Sequence, residues 1–489
     1  MTSYPFALLT PEESEWMDRE AAAVFPVTRL MENAGWAVAR VLRNRFSPRR
    51  VTIACGPGNN GGDGYVVACA LARWGWSVRV AALADPKVGT PAAEMATRWT
   101  GSVVPLSPEE LKNADLVVDA VFGAGLKRPV SDVVASALAA AKEVVAIDIP
   151  SGVSGGSGEI LGEVRACVLT VTFVRLRPGH VLKPGADLCG EVICADIGMP
   201  EQVWSGFTPS VQHNRPGLWE LPVSDDGDYK YRRGVVSLCG GAEMPGAARL
   251  AARGARRSGA GLVRIAAGQG APTYRLGDPG LVVDDVPLPE LLEDQRRKVW
   301  ICGPGLTEGE VAATLPLILK SNRTVIADAG ALSWGAQDLT RLQGVAVVTP
   351  HLGEFRKLFG PVEGSRLNAA RKAARQIKAV VVMKGPDTII AAPDGRVAIN
   401  THASSALATA GSGDTLTGII ATLLAAGMEV WEGCCAAVWL HGEAGIEAAK
   451  SQGGWPLAED LDLPLGPARK VATQLAQEGA NKKATGSLL

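Results

Sequence analysis

An excess of charge of one sign is missing from this sequence: 49 lysines and arginines face 50 aspartates and glutamates, for a formal net charge of −1. That balance excludes a surface that draws nucleic acid or anionic lipid by charge alone, and neither partner is expected. Histidine is scarce, five in the whole chain, and none stands at ligand spacing, so no zinc site is expected. None of the nine cysteines belongs to a CxxC pair. Most of them, including Cys55, Cys69, Cys239 and Cys302, lie in apolar segments and read as reduced core residues of a cytoplasmic protein. No apolar run is long enough to cross a bilayer, the longest being Leu416 to Met428. The opening "MTSYPFALLTPEESEWMDRE" lacks a basic stretch followed by an apolar one, which argues against a signal peptide.

What is present is a chain of 489 residues, 47% of them hydrophobic, long enough for two or three domains with cores that need no disulfides. Short apolar runs alternate with longer amphipathic ones. Strands are expected at 51–55, 77–83, 116–121, 144–149 and 167–173, with helices between them at, for example, 65–74 and 131–141. This alternation predicts a parallel sheet wrapped by helices. Regularity fades over 198–233, a stretch rich in Pro, Gly and charge that reads as a linker region. Trp204 and Trp219 within it should pack rather than stay in water. The pattern restarts with strands at 235–239, 262–266, 299–302, 324–327, 346–349, 380–384 and 388–391. A second α/β unit follows, reaching to about residue 475, and the polar tail "EGANKKATGSLL" reads as disordered. The expected domains are 1–215 and 216–489.

The first group of motifs sits at strand ends. "CGPGNNGGDG" follows the apolar run ending at Cys55. Its glycines allow close ligand approach, and the helix after it would aim N–H groups at a phosphate. Asn59, Asn60 and Asp63 add side chains that a plain turn does not require. "VVDAVFGAGL" ends a strand with Asp119 and a second Gly-rich loop, and "VVAIDIPSGV" ends a third with Asp148, Pro150 and Ser151. In a parallel sheet all three converge on one edge.

The second group begins with "ATAGSGDTLTGII", where Gly413 and Asp414 precede an apolar helix whose first N–H groups can form an anion hole. "VVMKGPDTII" supplies Lys384, Gly385 and Thr388 between two strands, a pattern suited to a nucleotide phosphate. "VVTPHLGEF" ends a strand with His351, and "WICGPGL" ends another with Gly303 to Gly305. Arg249, Arg253, Arg256 and Arg257 read as a solvated helix face.

Taken together, "LMENAG", "GPGNNGGDG", "VVDAVFGAGL" and "AIDIPSGV" resemble the NAD(P)HX epimerase domain, over about residues 10 to 205. The second group resembles the ribokinase-like fold, and within it the ADP-dependent NAD(P)H-hydrate dehydratase, over about residues 225 to 475. The implied architecture is α/β: a Rossmann-like three-layer sandwich followed by a ribokinase-like α/β sandwich. The first resemblance implies substrate binding by Asn59, Asn60, Gly61, Gly62 and Asp63, by the loop Gly123, Ala124, Gly125, Leu126, Lys127, Arg128 and Pro129, and by Asp148. It also implies a potassium ion at Asn60, Asp119 and Ser151. The second implies hydrate binding by Ala247, Gly305, His351 and Asp414. It further implies adenine-nucleotide binding by Lys384, Gly385, Pro386, Asp387, Thr388 and Gly413, with ADP as co-substrate alongside magnesium. Asp148 and Asp414 are the candidate catalytic acid–base groups. The chain departs from the first pattern at Arg177, where the family has lysine, and in "GVSGGSGEI", where an acidic loop is usual. It departs from the second at Ala403 to Ser405, where Gly-Asn-Pro is usual.

The expected function is repair of hydrated NADH and NADPH. The R and S epimers are interconverted by the first domain, and the S form is dehydrated with ADP by the second, in a homo-oligomer. Two other readings of the motifs stay open: a ribokinase-like kinase of a small alcohol, and an NAD dehydrogenase built on the first Gly-rich loop. Against the latter, Asp85 falls beyond the end of the next strand rather than on it.

Overall fold

The computed structural model describes residues 4–223 and 225–485. The chain divides into two compact units, one ending at Val211 and one beginning at Gln212.

In the first unit, seven strands form one sheet: β1 (Arg50–Cys55), β2 (Ser77–Ala82), β3 (Val103–Pro105), β4 (Leu116–Ala120), β5 (Val144–Ile147), β6 (Leu169–Phe173) and β7 (Glu191–Ala195). Their order is β3-β2-β1-β4-β5-β6-β7, and every pairing is parallel. The inner strands are buried on both faces, which is why they read as continuous apolar runs. The two edge strands, β3 and β7, were not among the expected ones. They are short and half-exposed, so neither face needs an apolar set.

Three helices shape the ligand edge of this sheet: α1 (Pro11–Ala22), α2 (Val27–Arg45) and α3 (Asn59–Arg73). Thr10 caps α1 reciprocally with Glu13, at 3.2 Å and 2.9 Å. The helix expected from Tyr65 begins instead at Asn59, so Asn59 to Asp63 form its first turn rather than a free loop. Three glycines there lower the local helix propensity and mask the true start. Packing overrides that propensity. A Cβ on Gly61 would lie 1.8 Å from the Gly56 carbonyl oxygen, and one on Gly64 would lie 2.7 Å from the Ala120 Cβ. The absence of side chains lets α3 press its first turns onto the ends of β1 and β4.

The second unit is built on a ten-stranded sheet containing β8 (Val211–His213), β9 (Val235–Cys239), β10 (Leu262–Ala266), β11 (Val282–Asp284), β12 (Val299–Cys302), β13 (Thr324–Ala327), β14 (Val347–Val348), β15 (Val380–Met383), β16 (Thr388–Ala391) and β17 (Val397–Asn400). The order is β11-β10-β9-β12-β13-β14-β15-β16-β17-β8. Pairing is parallel from β11 through β15 and antiparallel for β15–β16 and β16–β17. Helices Pro245–Arg257, Ser412–Ala425 and Val430–Ser451 supply small and apolar side chains to one large core together with Val236, Ile301 and Ile390.

Four expectations are corrected. Strands β8, β11 and β17 are additional to those expected. The stretch read as a linker packs: Trp204 and Trp219 are buried, as their size requires, and the Trp219 indole donates to Asn214 Oδ1 at 2.8 Å. Asn214 in turn donates to Asn400 Oδ1 at 2.9 Å and to the Cys435 carbonyl at 2.8 Å, so this segment is stitched into the core. The tail is not irregular from Glu478, because helix Leu465–Thr485 continues through it. Its last part, 486–489, lies outside the described residues. The arginine face is also tied down rather than merely solvated: Arg253 pairs with Asp462, and Arg256 pairs with Asp278 at 3.3 Å. All nine cysteines are free and most are buried. Among the described residues no helix is long and apolar enough to cross a membrane.

The tight seat of α3 makes a prediction. Gly61→Ala sets a methyl against backbone that cannot retreat, and it should lower stability by about 1–3 kcal/mol, measured as a urea midpoint shift. An unchanged midpoint would contradict the packing described.

Candidate functional sites

In the first unit a cavity of about 860 Å³ opens at the carboxyl ends of β1, β4 and β5. This is where the strand order reverses between β1 and β4, the position at which open parallel sheets bind ligands. Of the residues expected there, Asn59, Asn60, Asp63, Gly123, Ala124, Gly125, Leu126, Lys127, Arg128 and Asp148 line it. Gly61 and Gly62 lie behind the lining as packing positions, and a Cβ on Gly62 would meet the Met31 sulfur at 2.6 Å. Pro129, Asp119 and Ser151 are also set back from the lining.

Asp119 and Ser151 are bonded directly. The Ser151 hydroxyl donates to Asp119 Oδ1 at 2.7 Å, and the Ser151 N–H donates to Oδ2 at 2.8 Å. The Phe122 N–H donates to the Ser151 hydroxyl oxygen at 2.9 Å, locking the loop after β4 to the loop after β5. Burial pushes the Asp119 carboxyl up, against these hydrogen bonds. Asn60 is buried, and neither its side-chain oxygen nor its nitrogen has a partner. The orphaned buried amide of Asn60, and the carboxylate and hydroxyl of Asp119 and Ser151 at the same strand-end edge, are hard oxygen donors of the kind a cation with oxygen ligands takes. Among the described residues no group of three or more His, Cys, Asp or Glu could hold a metal.

Asp148 lies just past the end of β5 at φ +65°. This left-handed backbone is held from both sides: its N–H donates to the Val171 carbonyl at 2.8 Å, and its carbonyl accepts from His180 Nε2 at 2.7 Å. His180 Nδ1 accepts from the Arg177 N–H at 2.9 Å, which places its proton on Nε2. Burial lowers the His180 ring to about 4, so it stays neutral. The Asp148 carboxylate accepts from the Ala124 N–H at 2.8 Å and the Thr172 hydroxyl at 3.0 Å, with Arg177 Nε 3.6 Å away. Burial pushes this carboxyl up, but Arg177 and the hydrogen bonds outweigh it and hold Asp148 below the usual carboxylate range.

Asp63 is in the opposite condition. Among the described residues no hydrogen bond reaches its carboxyl, and burial together with the neighbouring Asp148 and Asp18 pushes it well above the ordinary value. Sequence reasoning missed Glu15 and Asp18, which α1 brings to the cavity. Their only sequence signal was the acid-rich stretch "PEESEWMDRE". His180 was missed as well, and nothing in its sequence surroundings marked it.

The second unit gathers its motifs at the ends of β9, β12, β13, β14 and β15. Lys384 follows β15 and reaches Asp328, which follows β13, at 3.1 Å and 3.4 Å. Thr417 donates to the same carboxylate at 2.9 Å. Asp328 was also missed, although "VIADAG" repeats the strand–Asp–small-residue pattern of "VVDAVFG". The helix Ser412–Ala425 starts from Gly411 in the left-handed region, with no side chain capping it, so its first turn is free to meet an anion. The Gly413 Cα stands so close to Lys384 that a Cβ there would be 3.1 Å from Nζ. Asp414 is next in line. Burial and the nearby Asp328 raise its carboxyl to about 6, against the pull of Lys384.

His351 caps helix Leu352–Phe359, its Nδ1 accepting from the Gly353 and Glu354 N–H groups at 2.9 Å and 3.3 Å, while the ring remains largely exposed. Its backbone forms a parallel β-bridge with Lys384, whose N–H donates to the Pro350 carbonyl at 2.8 Å. Gly305 lies at φ +71°, where a Cβ would be 3.4 Å from the Ala247 Cβ, so those two residues adjoin. Gly385 and Pro386 are exposed, and Thr388 closes their turn by donating to the Gly385 carbonyl at 2.8 Å. Asp387 is turned inward to Arg366, which donates to it at 2.8 Å, leaving its side chain buried away from a ligand.

With this geometry in view, similarity to known proteins is informative. Residues 27–179 match the family model described as YjeF-related protein N-terminus, and residues 235–462 match the model described as NAD(P)H-hydrate dehydratase. The chain is similar to the bifunctional NAD(P)H-hydrate repair enzyme Nnr of Moorella thermoacetica, at 36% identity over 91% of this chain and 93% of that protein. It is similar to the protein of the same name from Thermofilum pendens, at 34% identity over 90% and 92%. A ribokinase-like superfamily protein from Enterococcus faecalis matches 55% of this chain and 98% of its own, with 26% identity and a TM-score of 0.50. Two fused domains, each carrying its strand-end motifs and matched together over nine-tenths of the chain, establish that this protein belongs to the bifunctional NAD(P)H-hydrate repair enzyme family.

Proposed function

We propose that this chain repairs NADH and NADPH whose nicotinamide ring has taken up water. The first unit interconverts the R and S hydrates, and the second returns the S hydrate to the dihydronicotinamide, using ADP as its magnesium complex. The observation that carries this reading is the coexistence in one chain of two strand-end sites with opposite demands. One is a cavity with an ionised, immobilised carboxylate, as removal of the hydroxyl proton on the hydrated carbon requires. The other is an open helix N-terminus flanked by Lys384 and Asp414, as a nucleotide phosphate and a proton acceptor require.

In the second site the first turn of helix Ser412–Ala425 and Lys384 hold the phosphates, with Gly385 and Thr388 shaping the turn beneath them. Ala247, Gly305 and His351 border the hydrate. The ring hydroxyl attacks the terminal phosphoryl group of ADP and displaces AMP while Asp414 takes the hydroxyl proton; phosphate then leaves with the C–O electron pair, and loss of a proton from the neighbouring ring carbon restores the double bond. With its carboxyl raised to about 6, Asp414 is mostly ionised at neutral pH and becomes protonated below that. The dehydration rate should therefore fall as pH drops through about 6, read from initial rates at saturating ADP. A flat profile there would remove Asp414 from the proton's path.

Asp414→Asn should lower dehydration by about 100-fold or more while R-to-S conversion by the same preparation continues. Near-normal dehydration by that variant would contradict the assignment. Should the wild type instead phosphorylate small alcohols with ATP and leave the hydrates untouched, the ribokinase-like kinase reading would replace this one.

In the first unit Asn60, Asp119 and Ser151 would hold potassium, which would supply positive charge beside the substrate site. Replacing potassium by tetramethylammonium should slow epimerisation and spare dehydration. Asn60→Ala should remove that ion dependence, and equal epimerisation rates in both salts would argue against the ion site.

A further inference from the structure

Two carboxyls share the first cavity and differ in every contact that decides where a proton rests. Asp148 accepts from a backbone N–H and a hydroxyl and stands 3.6 Å from the buried Arg177 guanidinium. All of these favour the ionised form. Asp63, near the start of α3, lines the same cavity half-buried, and among the described residues none donates a hydrogen bond to its carboxyl. The titratable groups around the pair are Asp18, Glu15 and Glu12 from α1, and Arg177 and His180 beyond β6, with Lys127 and Arg128 also lining the cavity. Those interacting most strongly with Asp63 are acids, Asp148 and Asp18. Two carboxyls pushed apart in this way divide into one acid and one base. Arg177 keeps its proton, so it cannot exchange one with substrate, and the donor must be another side chain.

We propose that Asp63 is the proton donor of the epimerisation and Asp148 the proton acceptor, and that the hydrated ring opens and recloses between them. This rests on the epimerase reading above. Asp148 removes the proton of the hydroxyl on the hydrated carbon, and the O–H electron pair becomes the second bond of a carbonyl. The bond from that carbon to the ring nitrogen breaks, its electrons stay on nitrogen, and nitrogen takes the proton of Asp63. The intermediate is an open-chain aldehyde. Rotation about the adjacent carbon–carbon bond presents the other carbonyl face, and the reverse transfers close the ring with inverted configuration. One carboxyl gains the proton that the other loses, so the site's charge is unchanged throughout.

The test uses the full-length chain and a single hydrate epimer of NADH without ADP, following the appearance of the other epimer by chromatography. Asp63→Asn should cut kcat by about 100-fold or more with KM little changed, and it should abolish the loss of rate at high pH that marks a required proton donor. Asp63→Glu, which restores an acid, should recover part of the rate. In heavy-oxygen water the inverted product should keep its original oxygen. A kcat within about twofold of wild type in Asp63→Asn, with any loss confined to KM, would show a binding role only and overturn the proposal. Label entering every inverted product would overturn ring opening. Should the asparagine variant not fold, the glutamate variant and the wild-type high-pH limb decide, and absence of that limb counts against Asp63. A wild type that inverts no hydrate would remove the epimerase reading itself, whereas an active wild type with an active Asp63→Asn removes only the proton assignment.

Discussion

The closeness of α3 to the strand ends is the constraint on which the first site depends. Its first turn stands so near the Gly56 carbonyl that only glycine fits at position 61. That contact delivers Asn60 and Asp63 to the same edge as Asp119, Asp148 and Ser151. A helix seated farther out would leave the Asn60 amide in water and Asp63 solvated, and neither would have its present chemistry. The glycines that look like a phosphate loop in the sequence therefore do two things. They permit close ligand approach, and they bring side chains of a helix onto a sheet.

Both units use one electrostatic arrangement. In each, a strand-end carboxylate is neutralised by a fixed cation: Asp148 by Arg177 in the first, Asp328 by Lys384 in the second. In each, a second acid on the first turn of a Gly-rich helix is left without a cation of its own and is driven upward by burial and by the first acid: Asp63 and Asp414. In the first unit, pairing Asp148 with Arg177 while Asp63 lacks such a partner separates the two proton affinities.

Much of this was legible in the sequence because parallel strands buried on both faces are continuous apolar runs. β1, β4, β9 and β12 stand out for that reason, and the polar residue ending each run marks the ligand edge. Strands that satisfy only one face do not announce themselves: β3 is three residues ending in proline, and β7 alternates at an edge. α3 was misplaced at its start because propensity counts three glycines against a helix, while packing requires them. The approach of α1 to the cavity could not be read from local pattern, so Asp18 and Glu15 were invisible as site residues. His351 illustrates the converse. The motif was found, but one ring nitrogen is already occupied in capping a helix, which spacing alone does not reveal.

The most direct measurement follows the dihydronicotinamide absorbance band when the purified chain meets a mixture of both NADH hydrates, with and without ADP. The account predicts full recovery of the band with ADP and none without it, because the first unit replenishes the S hydrate as the second consumes it. Recovery that halts once the original S hydrate is spent would contradict a working first site. No recovery with ADP would contradict the account as a whole.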